Sequence, residues 1–373
     1  MPAGRPTQGA LFDRSAATRR NIFLSKADAP QDDTFLKGLL QRNREVAQAR
    51  VQEISTALSD LGYAVGNNVE PMARQGTFHL VHQIRIDDGE KRIARSPAPG
   101  LFFRDPGLEA DSRSALWLKA NSLPYVETTI LPASEPAPYE IQLSQPASGQ
   151  CLADMKDERL DRPDLLECLG RAIKGLHGIA GTGAGLLDVD SGVTKDRPSG
   201  VHESWARHVF QGLDRHIEIC RQVRAMTADE EIRARRRLDD IKPLLAGRPM
   251  RFLHGDTNND NLFLRDDGEV VMIDWDDAMV GDPLYDVAMW ATFHPPRRHQ
   301  AFFTGYGISG DLRDVYGRLF AAYFLRISLA KTVHRHRFGR IDKPGRAPAA
   351  DRIRWGLEAL ERAINGESVS IVP

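Results

Sequence analysis

Two kinds of apolar patterning follow one another along the chain. Apolar residues repeat at helical spacing over about residues 35–61, 108–118, 165–176, 205–245 and 312–333, and again in a last helix that ends near Ile364. Short stretches in which apolar residues alternate or run together, typical of strands, cover residues 76–86, 91–95, 139–143, 262–264 and 270–273. The pattern predicts a mixed chain of helices and short strands.

Two other stretches show neither periodicity. Residues 1–35 are polar, and we expect a flexible or loosely packed N-terminal extension there. Residues 181–200 are rich in Gly, Asp and Ser, which predicts a loop.

A β-hairpin is predicted around Asp266-Asp267-Gly268-Glu269, because Asp-Gly between apolar runs favours a tight turn. With Asp267 and Gly268 as the two central turn residues, Asn261 would lie directly opposite Asp274. The same reasoning at Asp88-Gly89 places Arg95 opposite His82.

Three oxygen-bearing residues near this hairpin have the spacing of phosphoryl-transfer enzymes. Asp256 and Asn261 stand five positions apart, as the base and the metal-binding asparagine do in the catalytic loop of protein kinases. Asp274 follows the second strand of the hairpin. Phosphoryl transfer needs a carboxylate to accept the proton of the attacking hydroxyl and oxygen ligands for Mg²⁺. The spacing therefore indicates kinase chemistry.

These motifs, His254-Gly255-Asp256 to Asn261, Ile273-Asp274-Trp275 and Gly281-Asp282-Pro283 to Ala288, resemble those of the aminoglycoside phosphotransferase and choline kinase superfamily. The resemblance implies an α+β, two-lobed, protein-kinase-like fold with a small antiparallel β-sheet N-lobe and a mostly helical C-lobe. It implies an N-lobe at 36–143, after the extension at 1–35, and a C-lobe at 144–373.

The resemblance also implies an enzyme that phosphorylates a hydroxyl group of a small molecule, with ATP or GTP as donor and Mg²⁺ as cofactor. Asp256 would be the catalytic base. Asn261 and Asp274 would hold the metal ion, while Asp282 and Asp286 would brace the site.

Nucleotide binding is expected in the first 144 residues. Gly76 would form a turn over the phosphates, and Arg95 would replace the lysine that holds the α and β phosphates in protein kinases. Arg95 needs an acidic partner on the next helix, either Glu109 or Asp111, and we choose Glu109.

Adenine would meet main-chain groups at the end of the following strand. The residues concerned are Gln142, Leu143 and Ser144.

Composition narrows the range of partners. The net charge of −1 argues against a nucleic-acid-binding protein, and no apolar run is long enough to span a membrane. With no signal-peptide pattern we expect a cytoplasmic protein. The three cysteines lack metal-type spacing, and the sequence leaves the oligomeric state open.

The acceptor substrate is the least defined element. Between His254 and Trp290 ten carboxylates accompany one arginine, which favours a cationic, aminoglycoside-like antibiotic bound by Asp276 and Asp277. Those two residues could instead cap the following turn. Another antibiotic, a sugar, a nucleoside or a choline-like amino alcohol is the alternative, and a kinase-like binding module without activity is the rival from another class.

A basic cluster, His334 to Arg337, ends the helix at 312–333. It would attract an anionic substrate or form a solvated helix end.

Overall fold

The computed structural model describes residues 38–65, 68–86, 89–98, 106–189, 196–308, 312–339, 341–342 and 346–369. The predicted extension at 1–35 lies outside these residues. The helical pattern at 35–61 forms two helices, α1 (Leu39–Ala49) and α2 (Val51–Asp60), with Arg50 between them.

The first half of the chain builds one antiparallel sheet of five strands in the order β1-β2-β3-β5-β4. The strands are β1 (Val69–Pro71), β2 (His79–Arg85), β3 (Lys91–Pro97), β4 (Thr128–Leu131) and β5 (Ile141–Ser144). Helix α2 packs its buried face, with Ile54 and Leu58, on the sheet residues Val69 and Ile84. Helix α3 (Pro106–Ala120) lies between β3 and β4 in the chain.

Two further small sheets belong to the second half of the chain. One joins β11 (Val270–Met272), β10 (Leu262–Leu264) and β6 (Gln150–Cys151), in that order. The other has the order β8-β7-β12-β9, with β7 (Ala184–Leu187), β8 (Gly200–His202), β9 (Arg251–Leu253) and β12 (Met279–Gly281). The loop prediction for 181–200 is therefore wrong at β7, whose Ala-Gly-Leu-Leu sequence is fully buried and too short to show a period.

Helices make up the rest of this lobe. They are α4 (Asp157–Leu160), α5 (Pro163–Leu176), α6 (Trp205–Phe210), α7 (Leu213–Gln222), α8 (Ala228–Asp240), α9 (Leu284–Phe293), α10 (His299–Tyr306), α11 (Asp314–Arg337) and α12 (Ala349–Ile364). Helix α11 is buried almost all round from Gly317 to Val333, and it packs against α9 and α12. The sheet lobe and the helical lobe have separate main clusters of buried apolar residues, which gives the two-lobed α+β arrangement that the sequence predicted.

Both predicted hairpins form, but each register differs by one residue from the prediction. Leu262 pairs with Met272 and Leu264 with Val270, so Asn261 faces Ile273 rather than Asp274. The loop holds three residues instead of two. Arg265 and Glu269 close it, and Gly268 adopts the left-handed conformation with φ of 84°.

The other hairpin shows the same shift. Ile86 and Glu90 close the turn, and Arg95 lies opposite Val81 instead of His82. Within the described ranges, no helix is both long and apolar enough to cross a membrane.

Candidate active site

The loop that carries Asp256 is held from beneath by a buried carboxylate. Asp286, at the start of α9, accepts hydrogen bonds from the main-chain N–H groups of His254 (2.7 Å) and Gly255 (2.9 Å). Its side chain is fully buried and also lies 3.3 Å from Nε2 of His177. The predicted bracing role of Asp286 is confirmed. Asp282 holds the start of α9 instead: its carboxylate accepts from the main-chain N–H of Leu284 and from the side chains of Arg248 and Tyr323.

Gly255 is required by the shape of this loop. Its φ of 81° lies in the left-handed region, and a Cβ atom added there would stand 2.1 Å from the carbonyl oxygen of Asp277. The glycine lets the catalytic loop contact the main chain that follows Asp274.

Asp256 is held on both carboxylate oxygens. Lys331 Nζ lies 3.0 Å from Oδ1, and Asn258 Nδ2 donates to Oδ2 at 2.8 Å. Asn261 Nδ2 donates to the main-chain oxygen of Asp256 at 3.0 Å, which leaves the carboxamide oxygen of Asn261 for another partner. The structure thus brings the predicted base and the predicted asparagine together.

Lys331 was not identified from the sequence. Its side chain is 5% exposed, and burial lowers its pKa to about 8 although the nearby carboxylates of Asp256 and Asp277 oppose the shift. A signal was present, because Arg326 and Lys331 are the sole charged residues between Leu319 and Val333. A charged residue inside a helix that is otherwise apolar on all sides usually has a buried partner.

Asp274 lies at the end of the hairpin in a left-handed backbone conformation with φ of 64°. This uncommon conformation for a residue with a side chain is typical of functional sites. Its Oδ1 accepts a hydrogen bond of 2.7 Å from Nη2 of Arg95, which also donates to Oδ1 of Asp276 at 3.0 Å. Nδ1 of His79 lies 2.9 Å from Oδ2 of Asp276.

The residues present fit a divalent cation. One ligand atom each of His79, Asp274 and Asp276 lies within 4.8 Å of the others. Burial and the neighbouring Asp276 carboxylate raise the pKa of Asp274 to about 7. Burial alone would also raise the pKa of Asp276, but the combined effect of His79 and Arg95 outweighs it and lowers this pKa. Carboxylate and carboxamide oxygens are the ligands that Mg²⁺ takes in proteins, and a dication would relieve the repulsion between the two carboxylates.

The predicted partner of Arg95 is wrong. Glu109 forms an ion pair with Arg113, at 2.7 Å, on its own helix. Asp111 is the acid of α3 that lies near Arg95, with 3.6 Å between Oδ2 and Nη1. It accepts hydrogen bonds from Gln142 Nε2 and from the main-chain N–H of Trp275. Two positions along a helix point in very different directions, so the rotation of α3 decides between the two acids.

The contact of adenine with the main chain just after β5 stays a prediction. Strand β5 is an inner strand, and Gln142, Leu143 and Ser144 pair with β4 and β3 on both sides. Their main-chain groups therefore serve the sheet. The Gln142 side chain accepts a hydrogen bond from Arg95 at 3.2 Å and donates one to Asp111 at 2.8 Å, and so links the two residues.

Gly76 lies in the loop between β1 and β2. Its neighbour Arg74 reaches the other lobe, with ion pairs to Asp154 (2.9 Å) and to Asp260 of the catalytic loop (3.4 Å). The Gly76 loop thus stands against the catalytic loop, and its contact with phosphates stays a prediction.

The two predicted substrate residues both lie near basic groups of the protein. Asp276 is paired with Arg95 and His79, as described above, and its contact with a cationic substrate stays a prediction. Asp277 is 8% exposed and lies close enough to Lys331 to influence its pKa.

Comparisons with known proteins agree with this geometry. A sequence profile of the phosphotransferase enzyme family matches residues 88–319. A comparison with curated protein sequences gives no match.

Solved structures share the fold. A thermostable mutant of aminoglycoside phosphotransferase APH(4)-Ia, in a ternary complex with ADP and hygromycin B, is 17% identical with a TM-score of 0.58 and covers 85% of this chain and 98% of its own. A macrolide 2'-phosphotransferase type I is 14% identical with a TM-score of 0.54, covering 84% and 97%. A protein from Thermobifida fusca proposed to be a fructosamine-3-kinase is 16% identical with a TM-score of 0.51, covering 83% and 98%. The protein-kinase-like two-lobed fold is confirmed.

Proposed function

The chain belongs to the phosphotransferase enzyme family, whose members modify hydroxyl groups of small molecules, and we propose that it transfers the γ-phosphoryl group of ATP in a Mg²⁺-dependent reaction. The observation that carries the proposal is the grouping around Asp256. A half-buried carboxylate, held by Lys331 and Asn258, stands beside Asn261, which hydrogen-bonds the same residue.

Each residue then has a defined task. Asp256 orients the acceptor hydroxyl and takes its proton, because a positioned carboxylate within hydrogen-bonding reach is the base that such transfer uses. Asn261 and Asp274 would hold the ion, and Mg²⁺ when bound supplies neutralisation of the phosphate charge. Arg95, oriented by Asp111 and Gln142, would bind phosphate oxygens.

Use of ATP is supported by the structural neighbour that was crystallised with ADP. The similarity of that neighbour concerns the fold alone, so ATP and GTP are both tested as donors. The hygromycin B in the same complex keeps an aminoglycoside-like antibiotic among the candidate acceptors. The sequence-based argument for a cationic acceptor is weaker now, because Asp276 pairs with Arg95 and His79.

The decisive experiment screens hydroxyl compounds for a mass increase of one phosphate, with ATP or GTP and Mg²⁺, while release of nucleoside diphosphate is followed. The panel contains aminoglycosides, macrolides, sugars, nucleosides and amino alcohols, each with and without protein. We expect phosphate transfer that Asp256→Asn lowers about 10²–10⁴-fold. Asp266→Asn, in the exposed hairpin loop, is the matched control and should retain full turnover.

Nucleotide binding without transfer to any compound would instead favour a kinase-like binding module. Equal turnover by wild type and Asp256→Asn would disprove the assignment of the base.

A further inference from the structure

A cavity of about 430 Å³ lies beside the catalytic loop and has no role in the site described so far. Asn259 of the catalytic loop lines one side. The segment from Ala291 to His299, together with Arg346, Arg352 and Trp355, lines much of the rest. The volume falls within the range of small-molecule pockets.

Arg352, on α12, is the most unusual residue of this pocket. The residue is 3% exposed, and none of its three side-chain nitrogens has a hydrogen-bond partner among the residues that the structure describes. A buried guanidinium carries five N–H donors, and leaving them unpaired is strongly unfavourable. Such a group indicates a partner other than the side chains and main chain that the structure describes.

Arg346 contributes a second positive charge. Its guanidinium carbon lies 5.1 Å from the centre of the Phe293 ring, and Nζ of Lys331 lies 4.3 Å from the centre of the same ring. Lys331 also forms the ion pair with Asp256. The Phe293 ring is therefore in contact both with an arginine of the pocket and with the lysine that holds the proposed base. The pocket is therefore close to the position where an acceptor hydroxyl would react.

The acidic residues around the pocket are mostly paired with other cations. Asp157 and Asp161 bind Arg298 at 2.8 and 2.5 Å, and Asp161 also binds Arg297. The carboxylate of Asp342 attracts the Arg352 guanidinium and opposes the fall of its pKa. However, Oδ1 of Asp342 already accepts a hydrogen bond from the main-chain N–H of Ala349. Asp260 faces Arg346 but also forms an ion pair with Arg74.

Burial lowers the pKa of Arg352 to about 9, and the like charges of Arg335 and Arg346 add to this effect while Asp342 opposes it. His294 and His299 line the pocket too, and burial lowers the pKa of each, so both are neutral near pH 7. The carboxylates that act on Arg352 and Arg346 are those of Asp342, Asp260 and Asp256, and each of them already has another partner. The pocket therefore favours an anionic ligand.

We propose that this pocket binds an oxyanion group of the acceptor substrate, so that the enzyme phosphorylates a hydroxyl of a compound that also carries a carboxylate or a phosphate. This inference rests on the proposed function. A guanidinium offers two parallel N–H donors that match two oxygens of either group, which explains an arginine at this buried position.

The first test measures binding of inorganic phosphate and of acetate by calorimetry to wild type, Arg352→Met and Arg352→Lys. We expect binding to wild type, at least tenfold weaker binding to Arg352→Met and an intermediate affinity for Arg352→Lys, which keeps the charge but loses the fork. Arg354→Met changes an exposed arginine on the same helix and should bind as wild type does. Which of the two anions binds more tightly distinguishes a phosphate from a carboxylate on the substrate.

The second test compares turnover of matched acceptors: glycerol, glycerate, glycerol 3-phosphate, glucose, gluconate, glucose 6-phosphate and an aminoglycoside. We expect the acidic members to be preferred, and Arg352→Met to raise their KM at least tenfold with little change in kcat. Urea unfolding of each variant checks the fold, and we expect Arg352→Met to be no less stable than wild type, because it removes a buried unpaired charge.

Preference for a neutral or cationic acceptor, with a KM that Arg352→Met does not change, would overturn the inference and leave the proposed function standing. Oxyanion binding that depends on Arg352, without turnover of any acceptor, would overturn the proposed function and with it the link to a substrate. Equal binding of phosphate and acetate to wild type and to Arg352→Met would show that Arg352 does not form an oxyanion site.

Discussion

Lys331 Nζ lies 3.0 Å from Asp256 Oδ1, although the two residues are 75 positions apart in the chain. The lysine lies near the C-terminal end of helix α11, and the carboxylate lies in the loop after β9. The pair fixes the direction of the Asp256 side chain before any substrate arrives. It also places a titrating amine next to the proposed base.

The stability of the protein should depend on pH through Lys331. Its pKa of about 8 in the folded protein lies below the value of about 10.4 for an unfolded lysine. Between these values the unfolded chain binds more protons, so this lysine makes the free energy of unfolding rise as the pH increases from about 8 to about 10.4. The free energy of unfolding of wild type minus that of Lys331→Met should therefore become more positive as the pH rises through that window. Urea unfolding from pH 7 to 10.5 measures it.

The matched control is Lys119→Met, which removes an exposed lysine from the surface of α3. Groups common to both proteins, such as tyrosines, cancel in the difference. Parallel curves for wild type and Lys331→Met would contradict the assigned shift.

Two glycines with left-handed backbones should respond very differently to alanine. In Gly268→Ala the new Cβ meets no atom within 4 Å, so we expect a loss of about 1–2 kcal/mol from the backbone conformation alone. In Gly255→Ala the Cβ would overlap the Asp277 carbonyl, and we expect a loss of at least about 3 kcal/mol together with lost turnover. Urea midpoints and turnover of the two variants check this, and similar losses for both would argue against the close approach.

Substitutions of Asp111 and of Glu109 should also differ in their effects on stability and on the KM for ATP. Asp111 is 7% exposed and accepts from Gln142 and Trp275, so Asp111→Asn should cost about 1–3 kcal/mol. It should also raise the KM for ATP, because Arg95 loses one of its three carboxylate partners. Glu109→Gln breaks one partly exposed pair with Arg113 and should cost under about 1 kcal/mol with an unchanged KM. Denaturant titration and ATP kinetics decide, and the reverse order would restore Glu109 as the partner of Arg95.

Loss of the proposed metal ligand Asp274 should lower turnover, as removal of the metal itself should. We expect Asp274→Ala to lower turnover at least about 10³-fold at every Mg²⁺ concentration, since metal stabilisation of the transition state is worth several kcal/mol. Asp266→Ala, in the neighbouring exposed loop, should show the Mg²⁺ dependence of wild type. Chelation by EDTA should stop the wild-type reaction, whereas turnover of Asp274→Ala that Mg²⁺ restores would count against this ligand.

Local patterns in the sequence predicted most elements of the fold and the three residues around which the site was proposed. Asp256, Asn261 and Asp274 lie within a short stretch of 19 residues, where spacing carries the chemistry. The register of both hairpins was wrong by one, because Asp-Gly also suits a three-residue loop with glycine in the left-handed position. Pairing of Asn261 with Asp274 thus depended on a turn type that the sequence does not determine.

Features that depend on contacts distant in the chain were missed. The choice between Glu109 and Asp111 depends on how α3 is rotated against the 3₁₀ turn Trp275–Asp277. The roles of Lys331 and Arg352 depend on what surrounds two helices near the end of the chain. Periodicity shows that a helical face is apolar, but it does not show which charged residue is buried with it.

Helix α11 carries a further anchor one and a half turns before Lys331. Arg326 donates to the main-chain oxygens of Val209 (2.7 Å) and Gln211 (2.6 Å), at the junction of α6 and α7. Helix α11 therefore connects the junction of α6 and α7 to the carboxylate of Asp256 through two of its own side chains. A redesign of the segment at 205–245 must preserve both carbonyl acceptors, because a shift of α11 would move Lys331 away from Asp256.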